Sequence, residues 1–297
     1  MKKDLTVFVN AFRKAFLKEA LESVKVSLSF VPACFTTQVI VCVLSEEVKA
    51  FLNNNKNLVL PDYDVVEYME GENIERNSRS MDFFYKKGLI YGEYFHEMSD
   101  DDIVEPVFYG LALNVLRNHI IPMVTFHWDM IYEDGTKGYR MPFFKRACLI
   151  SGKESARLSL VSSFRHAVAT IAETSLTFSI KKSARAPILG DVHEWLHWCM
   201  QSGYAWLPNR GIWYRVYSSS MWDQNPDKIN DNLPLYMEYL KLYKEKYRIT
   251  PDQYNIIQDK ITDRHDRQGR AAKFIRAKKD DYSGGSPYDV PVDAVLL

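Results

Sequence analysis

Three residues in this sequence are best suited by type and spacing to do chemistry. They lie in the run His193-Glu194-Trp195-Leu196-His197. On an α-helix, side chains four apart share a face, so two imidazoles at 193 and 197 can reach one zinc ion. Glu194 beside them can take a proton from a metal-bound water. The chemistry would be that of a zinc-dependent hydrolase, with His193 and His197 as metal ligands and Glu194 as general base. The third ligand is unknown. No His falls between His197 and His265, which leaves carboxylates such as Glu238 or Glu245 on a later helix.

Over these five residues the chain resembles the zincins, the metallopeptidase clan with an H-E-x-x-H core. The resemblance implies the roles just given and extends no further. The same residues also fit a helix start. Asp191 as N-cap and Glu194 three positions on form a capping box, in which both carboxylates satisfy free backbone amides. Trp195, Leu196 and Trp198 would then face the core. Both readings stand at this point.

A second constellation is aromatic and cationic. Between Tyr204 and Trp222 the chain carries Trp206, Arg210, Trp213, Tyr214, Arg215, Tyr217 and Trp222. Arginines interleaved with large rings suit an anchor patch for a protein partner, or a platform on which bases stack. The alternative is a β-hairpin turning at Pro208-Asn209-Arg210-Gly211 with its rings packed inward. A third feature is basic. Arg264, Arg267, Arg270, Lys273 and Arg276, followed by Lys278 and Lys279, could meet phosphates along a helix spanning 264–279. Asp259, Asp263, Asp266, Asp280 and Asp281 offset much of that charge. Ser151-Gly152-Lys153-Glu154-Ser155 lacks the first glycine and the hydroxyl of a phosphate loop, and no nucleophile-elbow pattern occurs.

The elements that must position these groups follow from periodicity and breakers. Residues 3–22 read as a helix, 24–30 as an alternating strand, 36–44 as a buried strand and 45–52 as a short helix. One or two strands lie near 89–95. Asp100 or Asp101 is placed to cap a helix over 103–117. Residues 124–131 and 139–150 read as a hairpin around Glu133-Asp134-Gly135-Thr136-Lys137-Gly138. Helices follow over 153–173, from Gly190 to Gly203, over 233–247 and over 251–278. The expected fold is α+β: an α/β portion over 1–120, a hairpin plus helices over 121–279, and an extended tail over 280–297.

Lys and Arg total 38 and so do Asp and Glu, which removes a global pull towards nucleic acid or anionic membrane. No apolar run is long enough to cross a bilayer. The four cysteines are scattered without a C-x-x-C pair, which points to reduced thiols and the cytoplasm. With no complete catalytic signature and an excess of aromatics, the leading expectation is a non-enzymatic protein-binding protein. A phage-type inhibitor of a host or defence protein fits that description, with no cofactor and with homo-oligomers allowed. The zinc hydrolase is the alternative, and nucleic-acid binding through the Tyr204–Trp222 segment and the basic helix is the third reading.

Overall fold

The computed structural model describes residues 3–58, 60–70, 73–140, 142–161, 167–180, 190–217, 233–275 and 295–297. The first part of the chain builds β1 (Lys3–Ala11), α1 (Leu17–Ser29), β2 (Thr37–Val43), α2 (Glu46–Asn54), β3 (Asp64–Glu67) and α3 (Asn73–Lys86). Next come β4 (Gly92–Ser99), β5 (Ile103–Val104), α4 (Phe108–His119), β6 (Met123–Tyr132), β7 (Lys137–Gly138) and β8 (Cys148–Ile150). After these come α5 (Gly152–Val161), β9 (Thr170–Glu173), α6 (Thr174–Thr177), α7 (Gly190–Gln201) and β10 (Tyr204–Val216). The described chain closes with α8 (Leu233–Tyr247), α9 (Pro251–Ile275) and β11 (Val295–Leu296).

The eleven strands among the described residues join one sheet in the order β11-β8-β10-β6-β9-β4-β1-β2-β3, with β5 against β10 and β7 against β6. Strands β3, β2, β1 and β4 are parallel. Strand β9 is antiparallel to both β4 and β6, so β6 runs the same way as β4. Strand β10 is parallel to β6. The carboxyl ends of β1, β4, β6 and β10 therefore share one edge of the sheet.

This overturns the expected α/β layer followed by a hairpin and a helical portion. One mixed sheet runs across position 120, and the physical reasons are local. Residues 3–11 form a strand, not a helix. Leu5, Val7, Phe8, Val9 and Ala11 are fully buried, as a central parallel strand covered on both faces requires. The Val24-Val26-Leu28 alternation lies on α1, which buries Leu17, Ala20, Leu21, Val24 and Ser27 at helical spacing and leaves Val26 exposed. The hairpin keeps only its turn. Strand β7 pairs with the end of β6, whereas β8 pairs with β10.

The segment expected as a hairpin around Pro208–Gly211 is one strand with register shifts on either side of Arg210. Gly211 is needed there. A Cβ at that position would lie 2.6 Å from Phe108 Cδ2 and 2.7 Å from Phe126 Cβ. One core lies against α1 and α4 beneath β1, β2 and β10, with Leu21, Val24, Phe108, Leu113 and Phe126. Another joins α5, α7, α8 and α9 through Leu196, Met200, Tyr236, Tyr239 and Ile261.

Candidate functional site

A parallel sheet concentrates ligand chemistry where its strand order reverses, because the two flanking loops there diverge and open a crevice at the carboxyl ends. Here the chain passes outward from β1 to β2 and β3, then returns to the other side of β1 as β4. The switch point lies between β1 and β4. Beyond β1 stand Phe12 and Arg13; beyond β4 stand Asp100, Asp101 and Asp102.

These residues form one network. Asp100 Oδ2 accepts from the backbone amides of Phe12, at 2.7 Å, and of Arg13. Asp100 Oδ1 accepts from Arg13 Nη2 at 2.7 Å and from Nε at 3.1 Å. The same Nη2 lies 2.6 Å from Asp101 Oδ2. Burial alone would lower the pKa of Arg13, but the charges of Asp100 and Asp101 override it and raise the value, so the guanidinium stays charged.

Asp102 Oδ1 accepts from the backbone amide of Arg215 at 2.8 Å. Its Oδ2 is buried and has no hydrogen-bond partner among the described residues. Burial, followed by the neighbouring charge of Asp101, pushes the Asp102 carboxyl well above the ordinary carboxylate range.

Strand β10 closes the site. The Arg215 guanidinium, almost fully buried, donates from Nε to the Asp101 carbonyl at 2.7 Å and from Nη2 to Glu19 Oε2 at 2.5 Å. It also lies 3.9 Å over the Phe16 ring. Tyr217 packs against Phe16, and the Arg13 guanidinium stands 5.1 Å above its ring. Burial, then the Asp101 charge, raises the Tyr217 phenol above its usual value.

The acidic run was expected to cap the next helix, but Asp100 and Asp101 turn to Arg13 and α4 has Val107 at its N-cap. Arg13, Glu19 and the three aspartates are functional candidates that sequence reasoning missed. The available signal was three consecutive carboxylates directly after a strand.

The other expected site residues lie elsewhere. Trp206 and Trp213 are 1% and 5% exposed, so they are core side chains and not a surface patch. Trp206 donates to the Phe144 carbonyl, and Trp213 donates to Glu105 Oε1. Arg210 binds Glu105 and Asp129 and lies 4.0 Å over Trp213. Tyr214 packs on Trp128 from the opposite face. Trp222 lies outside the described residues. So do the side chains of Arg264, Arg267, Arg270 and Lys273, and residues 276–279; the backbone is helical to Ile275.

His193 and His197 do share one helix face, but it is turned to α8. His193 packs edge-on to Tyr239, and His197 Nε2 lies 3.0 Å from Ser179 Oγ. Burial, then the nearby His193 and Lys246, lowers the His197 pKa. A lysine facing the imidazoles opposes a second cation. Among the described residues, no three His, Cys, Asp or Glu side chains converge to hold a metal. The backbone is already helical at Gly190 and Asp191, which puts Asp191 inside helix α7 and not at its N-cap.

No family model and no curated protein matches the sequence. Solved structures do share its fold. Residues 1–349 of S. aureus TarS superpose with a TM-score of 0.62 at 14% identity, covering 93% of this chain and 75% of that one. The same protein in complex with UDP-GlcNAc gives 0.63 at 14% identity, over 93% and 76%. In complex with UDP it gives 0.56 at 15% identity, over 93% and 76%. The chain spans 46% of the longer TarS structure.

TarS is solved in complex with UDP and with UDP-GlcNAc, and that finding overturns three expectations. They are the non-enzymatic phage-type inhibitor, the zinc hydrolase built on His193, Glu194 and His197, and another protein as main partner. Among the described residues no helix is long and apolar enough to cross a membrane.

Proposed function

We propose that the protein is a glycosyltransferase that uses a nucleotide-diphosphate sugar as donor, bound at the switch point between β1 and β4. The observation that carries this is the Arg13–Asp100–Asp101–Asp102 cluster at that edge, in a fold shared with a protein solved with UDP and UDP-GlcNAc. Glycosyl transfer breaks the bond between the anomeric carbon and the diphosphate oxygen and forms one to an acceptor hydroxyl. The demand on the protein is to hold the developing charge of the departing diphosphate with groups already in place. Arg13 is fixed by two carboxylates and so meets the diphosphate without reorganising. Asp102 and Tyr217 pack behind the same edge, with Asp102 Oδ1 held by the Arg215 amide. Arg215 holds the Asp101–Asp102 backbone in register. The cytoplasmic location belongs to the same proposal: Cys34, Cys42, Cys148 and Cys199 are free thiols, the state a reducing compartment maintains.

The test is thermal unfolding of the full chain with UDP, UDP-GlcNAc, ADP, GDP and UMP. A ligand at a hundred times its Kd stabilises by about 2.7 kcal/mol. A nucleoside diphosphate or its sugar is expected to raise Tm by several degrees, and UMP by less. If none of the diphosphates moves Tm, the proposal fails.

A further inference from the structure

A diphosphate brought against an acidic row needs a cation between them, and a divalent metal ion is the usual choice. The oxygens here are poorly disposed to take one. Both oxygens of Asp100 are filled, Oδ2 by two backbone amides and Oδ1 by Arg13. Asp101 Oδ2 is held by Arg13 Nη2, and Asp102 Oδ1 by the Arg215 amide. The remaining oxygen of Asp102 is buried. A metal ion that took Asp100 Oδ1 or Asp101 Oδ2 would have to displace Arg13.

Arg13 itself is built as a cation site. Its Nε and Nη2 are committed to the aspartates, while its side chain stays 45% exposed. Its Nη1 enters no ion pair or hydrogen bond among the described residues. A guanidinium clamped through Nε and Nη2 holds Nη1 in a fixed position, a preset charged donor for phosphate oxygens. The Tyr217 ring beneath it fixes the plane.

Resting on the nucleotide-sugar proposal, we infer that Arg13 is the resident counter-cation of the acidic row and binds the donor diphosphate directly, so that donor binding needs no divalent metal ion. Arg13 touches the substrate and is a binding residue.

The experiment is calorimetric titration of UDP and of uridine into the full chain, in EDTA and in manganese, for the wild type, Arg13→Ala and Arg13→Lys. Circular dichroism and Tm confirm that the variants are folded. The wild type should bind UDP in EDTA within about threefold of its affinity in manganese. Arg13→Ala should weaken UDP binding in EDTA by at least tenfold and leave uridine binding unchanged. Arg13→Lys should fall between, since it keeps the charge and loses the clamped Nη1 donor. A wild type that binds UDP only when manganese is present overturns the inference and leaves the glycosyltransferase proposal intact. So does an Arg13→Ala protein that binds UDP as well as the wild type in EDTA. A protein that binds UDP under neither condition overturns both.

Discussion

Asp102 shows how a site residue can be at odds with the stability of the chain around it. Its carboxyl is buried and one oxygen has no partner, so the charged form is disfavoured. The sign of the pH effect follows from linkage. Above the ordinary carboxylate pKa the unfolded chain has released this proton, while the folded chain still holds it. Stability therefore falls as pH rises, until the raised folded pKa is passed, with a slope approaching about 1.4 kcal/mol per pH unit. Asp102→Asn should remove this dependence and be at least as stable as the wild type near pH 8. Urea unfolding at several pH values between 5 and 8 measures it. Parallel curves for the two proteins would show that Asp102 holds no proton there. His193, Glu194 and His197 carry the opposite lesson. Their spacing did place both imidazoles on one face, but whether that face meets a metal or a tyrosine depends on α8, far along the chain.

At the scale of elements, β10 is the strand on which sequence and structure differ most. Its rings, arginines and Pro-Asn-Arg-Gly stretch resemble a turn with an exposed patch. The strand instead runs beside β6 through the middle of the sheet, and its shifts around Arg210 re-aim the residues that follow. Arg215 thereby points at the acidic row, two residues beyond Trp213 in the core. Gly211 permits this by letting Phe108 and Phe126 approach the backbone. Gly211→Ala should cost about 1–3 kcal/mol, as overpacking of a filled core does, and should reduce donor affinity by displacing Arg215. Chemical denaturation and UDP titration of the same variant report both effects. A variant with native stability would mean that the two phenylalanines yield easily.

For the whole molecule, the sheet has consequences of its own. It joins β3 near the start of the chain to β11 at its end. Strands β1 and β4 are held by partners remote in sequence, and β9 bridges them to β6. Heat should therefore unfold the chain in one calorimetric transition, with van't Hoff and calorimetric enthalpies equal. Two resolved transitions would instead reveal halves that fold independently.

What the sequence alone determined was local: β2 near 36–44, the helices near 46–54, 108–119, 190–201 and 233–247, and the turn after β6. Each follows from periodicity, breakers and turn residues acting over a few positions. The nature of β1 was hidden because a strand buried on both faces has no alternation, so its apolar residues matched a helix equally well. The candidate site was hidden for a different reason. Arg13, Asp100 to Asp102 and Arg215 lie about 90 and 200 positions apart in sequence, and only parallel pairing with a reversal of strand order brings them to one edge. A run of three aspartates is a helix cap or a ligand site according to what faces it, and that is decided by tertiary structure.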